Sequence, residues 1–563
     1  MLTEWKASTL AAESKEAIAI PDVVIQFLRA RGLSTEEDIQ RHLKASLQDM
    51  RSPYLLQDIH KLVDRLIEAY SGQQKILIYG DYDLDGTSAT ALMLYGLKDL
   101  GFTNLDYFQP KRLKDGYGLH TKYFDEFKSA GVELVITVDL GIADLEAAKY
   151  AKEIGLDLII TDHHQPKEEL PLAIAVVNPN RKDCESGLEH LCGAGVAFYI
   201  LLALKMMWDD KGIKHKLKPK ELLDFFIIGT LTDMVPLIDE NKALSRHGII
   251  KMQNTDKAGL RVLLETLGYL NRPLSSADVA IGIAPKLNAL SRMEEDLLPI
   301  DILLETSEAA ARKKMQRVLE LNDRRKLLQR EAEDEAEAEF LSKGKKPYAF
   351  VYSKNFHKGV IGLVATKLCN KYNVPAFVGC LMENGEIVGS ARCPNFANFS
   401  SLLAYEASGD TLISHGGHHF ASGFKLNVAK ADNWHKQLEQ HYIQVEASKK
   451  ELEYDVEVEL KDLNQKVMTW LDEFQPYGVG FKAPTFMISN CLISEVRTLK
   501  GGHKRLGLKQ NKSQQTALYF SPPSYAEFNE GKYIDVLVEL QWNYYNNRKT
   551  LQLLIKDMRE HEK

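Results

Sequence analysis

KILIYGDYDLDG, Lys75–Gly86, decides the fold class: a short apolar run, KILIY, stops on Gly80 and gives way to Asp81, Asp83 and Asp85. An apolar-rich helical stretch, ATALMLYGLKDL, follows directly. The same unit recurs downstream. LVITV (Leu134–Val138) ends on Asp139-Leu140-Gly141-Ile142 ahead of LEAAKYAKEIG, DLIIT (Asp157–Thr161) ends on Asp162-His163-His164, and AIAVVN (Ala173–Asn178) ends on Pro179. Near-continuous β-branched runs separated by helices of roughly 10–15 residues indicate a parallel sheet covered on both faces. The fold class is therefore α/β.

A chain of 563 residues exceeds one hydrophobic core and implies three or four packed units. Hydrophobic content of 45% and charged content of 26% are an ordinary globular balance. Residues 1–20 lack a cationic start followed by an apolar run, and no stretch approaches the ~18–20 apolar residues of a membrane span. Leu191–Met207 comes closest and reads as a buried helix. The six cysteines form no CxxC pair, which argues against a zinc knuckle, an iron–sulfur centre or a disulfide scaffold and fits a reducing, cytoplasmic setting. The net charge of -7 weighs against a generally basic nucleic-acid binder, but it does not preclude a local basic groove.

The expected organisation is an N-terminal helical segment (1–60), a catalytic domain (61–308), a connecting helix (309–345), a second α/β domain (346–450) and a C-terminal barrel (451–563). Residues 188–330 read as mainly helical and contain a fourth acidic point, Asp233 in GTLTDMVP. From Ala309 to Phe340 the apolar positions Met315, Val318, Leu319, Leu327 and Leu328 recur at helical spacing, with a densely charged opposite face. That helix reads either as an inter-domain connector or as packed on one domain. AFVYS, the helix Val360–Leu368, AFVGC and EIVGSAR make the second α/β unit, followed by SHGGHHFASGF. The last ~110 residues alternate at period two, the pattern of a small, mostly antiparallel barrel.

In open α/β sheets, ligands gather outside the carboxyl ends of the strands. Asp81, Asp83, Asp85, Asp139, Asp162, His163 and His164 should therefore meet at one crevice. Crowded carboxylates are tolerated mainly where a cation compensates them, and an Asp/His set suits Mn²⁺ or Mg²⁺. With Asp233 there are enough ligands for two ions about 4 Å apart, the arrangement used for phosphoryl hydrolysis. Each part alone has a plainer reading. DYDLDG resembles half of a calcium loop, but the preceding strand and the missing distal Glu count against it. Asp139 or Asp233 alone reads more readily as a helix N-cap, and Asp162-His163-His164 as a capping loop. The joint pattern is what points to metal chemistry.

These motifs resemble those of the Asp-His-His (DHH) phosphoesterases, and among them the RecJ family of single-strand-specific 5′→3′ DNA exonucleases. Beyond DYDLDG, TVDLGI, TDHH and TLTDMVP, the similar segments are Pro110–Leu119, Ala284–Met293, Phe356–Gly362, Gly389–Arg392, Gly416-Gly417-His418 and Phe474–Pro484, so the likeness covers roughly residues 60–560. It implies metal ligation by Asp83, Asp85, Asp139, His163 and Asp233, with Asp81 as a further ligand or a support for one. His164 would contact the scissile phosphate or donate a proton, and the catalytic set would include Asp81, Asp139 and His164. It implies a second domain of DHHA1 type and an OB-like barrel. It also assigns the 5′-terminal phosphate and adjacent nucleotide to Ser390, Arg392, Gly416, Gly417 and His418, with Arg112, Asn288 and Arg292 contributing from the catalytic domain. The implied partners are single-stranded DNA, a single-stranded-DNA-binding protein and a helicase, in DNA recombination and repair, and a monomer is expected. Departures from the family pattern are Leu140 for Asn, Lys286 for Arg, Ala289-Leu290-Ser291 for AAG and Phe356 for Trp.

Read from the residues alone, Ser390 and Arg392 follow the strand EIVG and suit either a phosphate fork or a solvated loop. Gly416-Gly417-His418 suits an anion cradle, a helix C-cap or a tight turn. A cleft between the two α/β units would select single strands by width. In the barrel, Gly501–Arg505, Trp542, Tyr544, Tyr545 and Arg548 are candidates for strand binding, with Trp542 and Tyr544 equally suited to packing. Two other readings stand: a DHH-type enzyme acting on cyclic dinucleotides, short oligonucleotides or pyrophosphate, and a catalytically silent single-strand-binding or scaffolding protein.

Overall fold

In the computed structural model of the chain, the described residues are 4–7, 20–44, 46–293, 295–344, 346–394, 411–418, 420–442, 451–520, 522, 529–545 and 548–562. In chain order the strands are β1 (Glu4–Ala7), β2 (Ile76–Gly80), β3 (Leu105–Phe108), β4 (Leu134–Val138), β5 (Asp157–Thr161), β6 (Ala175–Val177), β7 (Ala349–Ser353), β8 (Ala376–Leu381), β9 (Glu386–Arg392), β10 (Leu412–His418), β11 (Ala421–Asn427), β12 (Glu451–Tyr454), β13 (Val456–Glu457), β14 (Phe486–Thr498), β15 (Lys504–Gln510), β16 (Ser513–Tyr519), β17 (Tyr533–Tyr545) and β18 (Arg548–Glu560).

The first sheet has the order β3-β2-β4-β5-β6 and is parallel throughout. Every residue of β2 and β4 is buried, as expected of strands covered on both faces. β3 has no strand signature in the sequence: it is a half-exposed edge strand whose LDYF carries neither an apolar run nor clean alternation. The helices Leu84–Asp99, Gly193–Asp210 and Leu223–Thr232 are buried against one another in the largest core cluster.

The second sheet, β10-β11-β9-β8-β7, is mixed: β7 and β8 are parallel and the remaining pairs antiparallel. The helix Glu308–Ser342 joins the two α/β units. Its Ala311, Met315, Val318 and Leu321 lie in the core of the first α/β unit, and its Ala332, Ala336 and Phe340 in that of the second. Of the apolar positions expected to face inward, Leu327 is exposed, while Leu321 and Asn322 are buried.

The barrel runs β13-β14-β15-β16-β18-β17, and pairing of β14 with β17 closes it. The N-terminal segment does not stand apart. The helix Asp22–Ala30 sends Val24, Phe27 and Leu28 into the barrel core, and β1 pairs in parallel with β12. That segment thus contains a strand besides its helices. No helix among the described residues is long and apolar enough to cross a membrane. All six cysteines are buried free thiols.

Candidate metal centre and arginine cluster

Most of the acidic residues converge because they follow the carboxyl ends of neighbouring strands, and Asp233 joins them from the end of the Leu223–Thr232 helix. Asp81 follows β2 directly, and Asp83 caps the next helix by accepting from the backbone N–H groups of Asp85 (2.9 Å) and Gly86 (3.0 Å). Asp139 leaves β4 with φ 66°, a left-handed conformation that costs a non-glycine residue about 1–3 kcal/mol. Asp85 is buried, and its two oxygens accept from the N–H groups of Gly193 (2.6 Å) and Ala194 (2.9 Å), at the start of the Gly193–Asp210 helix.

Helix and carboxylates approach too closely for any side chain at two glycines. A Cβ on Gly193 would fall 2.5 Å from Asp139 Cβ, and one on Gly229 would fall 2.5 Å from Asp85 Oδ1. Neither glycine stands out in the sequence, because a glycine inside an apolar helix carries no signal of what faces it.

The ligand atoms form three overlapping groups, each within 4.8 Å: Asp81, Asp83 and Asp139; Asp85, His163 and Asp233; and Asp139, His163 and His164. His163 Nε2 lies 3.1 Å from Asp139 Oδ1, 3.5 Å from Asp233 Oδ2 and 3.8 Å from Asp85 Oδ2. Asp81 Oδ1, Asp139 Oδ1 and His163 Nε2 are buried atoms without a hydrogen-bond partner. Burial, and then the neighbouring carboxylates, push Asp81 and Asp139 well above the usual carboxylate range, and Asp233 up to about 8. Orphaned donors and mutually repelling buried carboxylates are what a divalent cation relieves, so the residues fit two such ions.

Asp162, expected to join this crevice, takes a different place. Its carboxylate accepts from Ile142 N (3.0 Å), His163 N (2.7 Å) and His164 N (3.1 Å), and pairs with His164 Nδ1 at 2.7 Å. Burial would raise its pKa, but the His164 hydrogen bond and both imidazoles bring it below the ordinary value. Conversely, burial would lower His164, yet the bond to Asp162 and its charge raise it to about 9. Tyr117 Oη lies 3.2 Å from the same Nδ1.

Next to this centre lies a cluster of guanidinium groups. Arg112 stacks 5.1 Å over Tyr82, the residue between Asp81 and Asp83. Withdrawal from solvent, then Arg112, Arg325 and Arg392, bring the Arg292 pKa down to about 9. Burial and Arg112 likewise lower that of Arg392. Four arginines from three parts of the chain thus repel one another. Arg325, on the long helix, is absent from the sequence reading because there it looks like one more charge on a solvated face.

Ser390 and Arg392 lie within β9 rather than after it, and Arg392 Nη1 donates to Ser390 Oγ (2.9 Å) and Ala391 O (2.7 Å). A Cβ on Gly362 would come within 3.2 Å of both side chains, so the first turn of the Ile361–Tyr372 helix abuts them. Gly416, Gly417 and His418 belong to β10, neither a C-cap nor a turn, with register Gly416↔Gly423↔Ser390 and His418↔Ala421↔Arg392. Asn288 lines a different feature, a cleft of about 1160 Å³ between catalytic domain and barrel that also exposes Met234, Arg272, Trp542, Tyr544 and Lys549.

The departures from the family pattern are accommodated locally. Leu140 is fully buried, Lys286 donates to Gly282 O, Ser291 Oγ donates to Asn288 O, and Phe356 packs in the second-domain core.

Comparison with known proteins agrees with this architecture. The profile of the DHH family N-terminal domain matches residues 75–230, and that of the RecJ OB domain matches residues 454–557. The single-stranded-DNA-specific exonuclease RecJ of Bacillus subtilis is 32% identical over 556 residues, 96% of this chain and 68% of that protein. RecJ of Haemophilus influenzae is 31% identical over 474 residues, 81% of each chain. The crystal structure of Thermus thermophilus RecJ in complex with Mn²⁺ superposes with a TM-score of 0.83 at 24% identity, covering 100% of this chain and 80% of that one. With its acidic crevice, second α/β domain and closed barrel in this order, the chain belongs to the RecJ family of the DHH superfamily.

Proposed function

We propose that the chain is a divalent-metal-dependent exonuclease that hydrolyses single-stranded DNA from its 5′ end and releases 5′-mononucleotides. The observation that carries this reading is the juxtaposition of the carboxylate crevice with the arginine cluster through Tyr82 and Arg112. Asp81, Asp83 and Asp139 would hold one cation, and Asp85, His163 and Asp233 the other. When bound, the ions neutralise charge on the transferring phosphoryl group and activate water.

The protein's own groups supply the remainder. His164 Nδ1 is engaged by Asp162, whose hydrogen bond and charge favour the protonated ring, so Nε2–H would be a donor for a phosphoryl or leaving oxygen. Arg112, Arg292 and Arg392, with Ser390, would hold a terminal phosphate in forked hydrogen bonds that also relieve their mutual repulsion. An end-phosphate pocket beside the hydrolytic centre sets the cut at a fixed distance from the terminus, which is the requirement for exonuclease action.

The cleft at Asn288, Trp542 and Tyr544 suits the downstream strand, where Lys549 stacks 4.0 Å over Trp542 and Arg272 5.0 Å over Tyr544. A helicase and a single-stranded-DNA-binding protein in the cytoplasm would present such a strand during recombination and repair. Timed digestion of 5′- and 3′-labelled strands with Mn²⁺ or Mg²⁺ tests the proposal, with Asp139→Asn as control. Mononucleotides should appear first from the 5′ label and vanish in the variant; release from the 3′ label first, or none, would refute it.

A further inference from the structure

The chain around Asp233 is not held by the catalytic domain alone. Asp233 ends the Leu223–Thr232 helix, and the backbone turns at Met234 (φ 60°) toward the helix Asp239–Gln253. Along that path a segment of the barrel domain between β13 and β14, Phe474–Phe481, is bonded to it repeatedly. Leu237 N donates to Val479 O at 2.7 Å, and Lys242 Nζ donates to both Phe474 O and Pro476 O at 2.6 Å. Arg246 Nη1 donates to Glu473 O at 3.0 Å. A Cβ on Gly478 would lie 2.7 Å from Leu237 Cδ1, so the two segments are in close contact there. On the catalytic side, Asn241 Nδ2 donates to Pro236 O at 3.0 Å and so braces the same loop.

Lys242 is 3% exposed. Its amine meets two carbonyls and the rings of Phe481 (4.2 Å) and Tyr477 (5.7 Å). A buried amine is costly, and an apolar side chain would fill the space without that cost. What lysine adds here is the pair of bonds across the domain boundary.

We infer that Lys242 is a positioning residue: from the helix that follows the loop carrying Asp233 it holds Phe474–Phe481, which in turn bonds that loop at Leu237, so that Asp233 completes its cation site only while the barrel is docked. This rests on reading Asp233 as a cation ligand. Partners that orient a ligand from behind shift metal affinity by about 10–100-fold when lost.

The test is Mn²⁺ binding to the full chain, read from the electron paramagnetic resonance signal of free Mn²⁺. Wild type should take up two ions. Lys242→Met should keep one site at wild-type affinity and weaken the other by about tenfold or more, with the single-strand cleavage rate recovering at saturating Mn²⁺. Lys242→Gln, which retains a donor, should fall between them, and it carries the test if the Met variant fails to fold. Two unchanged affinities in a folded variant, or equal weakening of both sites, would overturn the inference alone. No uptake by wild type would overturn the cation reading and the inference together.

Discussion

Replacing Gly193 by alanine tests whether the acidic crevice owes its geometry to close packing. The new Cβ would sit 2.5 Å from Asp139 Cβ and 2.7 Å from its Cγ and Oδ1, where no relaxed contact is possible. Either Asp139 is pushed outward or the Gly193–Asp210 helix retreats, and a retreat stretches the 2.6 Å bond from Gly193 N to Asp85. Overpacking of this kind costs about 1–3 kcal/mol of stability. Displacing a ligand by up to ~1 Å costs on the order of 10²-fold in rate. Digestion of a 5′-labelled single strand across a Mn²⁺ series should therefore show a loss of that order that excess metal only partly recovers. Gly195→Ala is the control: its Cβ would meet the Leu191 side chain at 3.1 Å, and activity should be largely retained. A folded Gly193→Ala protein within about twofold of wild type would refute the packing argument.

Asp162→Asn removes the charge that raises His164, so the imidazole should lose its proton at lower pH; the alkaline limb of the pH–rate profile should move down from about 9, and an unmoved limb would show that His164 does not report there. Arg392→Ala should erase preference for a 5′-phosphorylated over a 5′-hydroxyl strand while Mn²⁺ affinity stays unchanged; intact preference would remove Arg392 from the terminal-phosphate site. In chelator, the raised carboxyl of Asp233 contributes stability at acid pH that is lost as pH rises through about 8. The chelated protein should therefore melt at lower temperature at pH 9 than at pH 6, and added Mn²⁺ should stabilise it most at the alkaline end. A flat chelated profile would contradict the picture of uncompensated carboxylates.

Much of the catalytic half was legible because strand ends are local signals. KILIYGDYDLDG, LVITVD and DLIITDHH each pair a buried apolar run with the polar group that follows it, and β2, β4 and β5 place those groups side by side. What stayed hidden depends on contacts distant in sequence. Arg325 is one of many charges on a long helix until the fold sets it near Arg292. Asp162 reads as one more acidic group of the crevice until His164 and three backbone N–H groups are seen to engage it. The glycines of SHGGHH suggest a turn, yet they lie in β10, where the register aligns them with Ser390 and Arg392. Nothing in residues 4–7 announces a strand, because its partner lies at 451–454.

Crystals grown with Mn²⁺ and measured at the manganese absorption edge address the central claim most directly. Two anomalous peaks should appear in the crevice, one among Asp81, Asp83 and Asp139 and one among Asp85, His163 and Asp233. An empty crevice at saturating Mn²⁺, or density confined to surface carboxylates, would contradict the account.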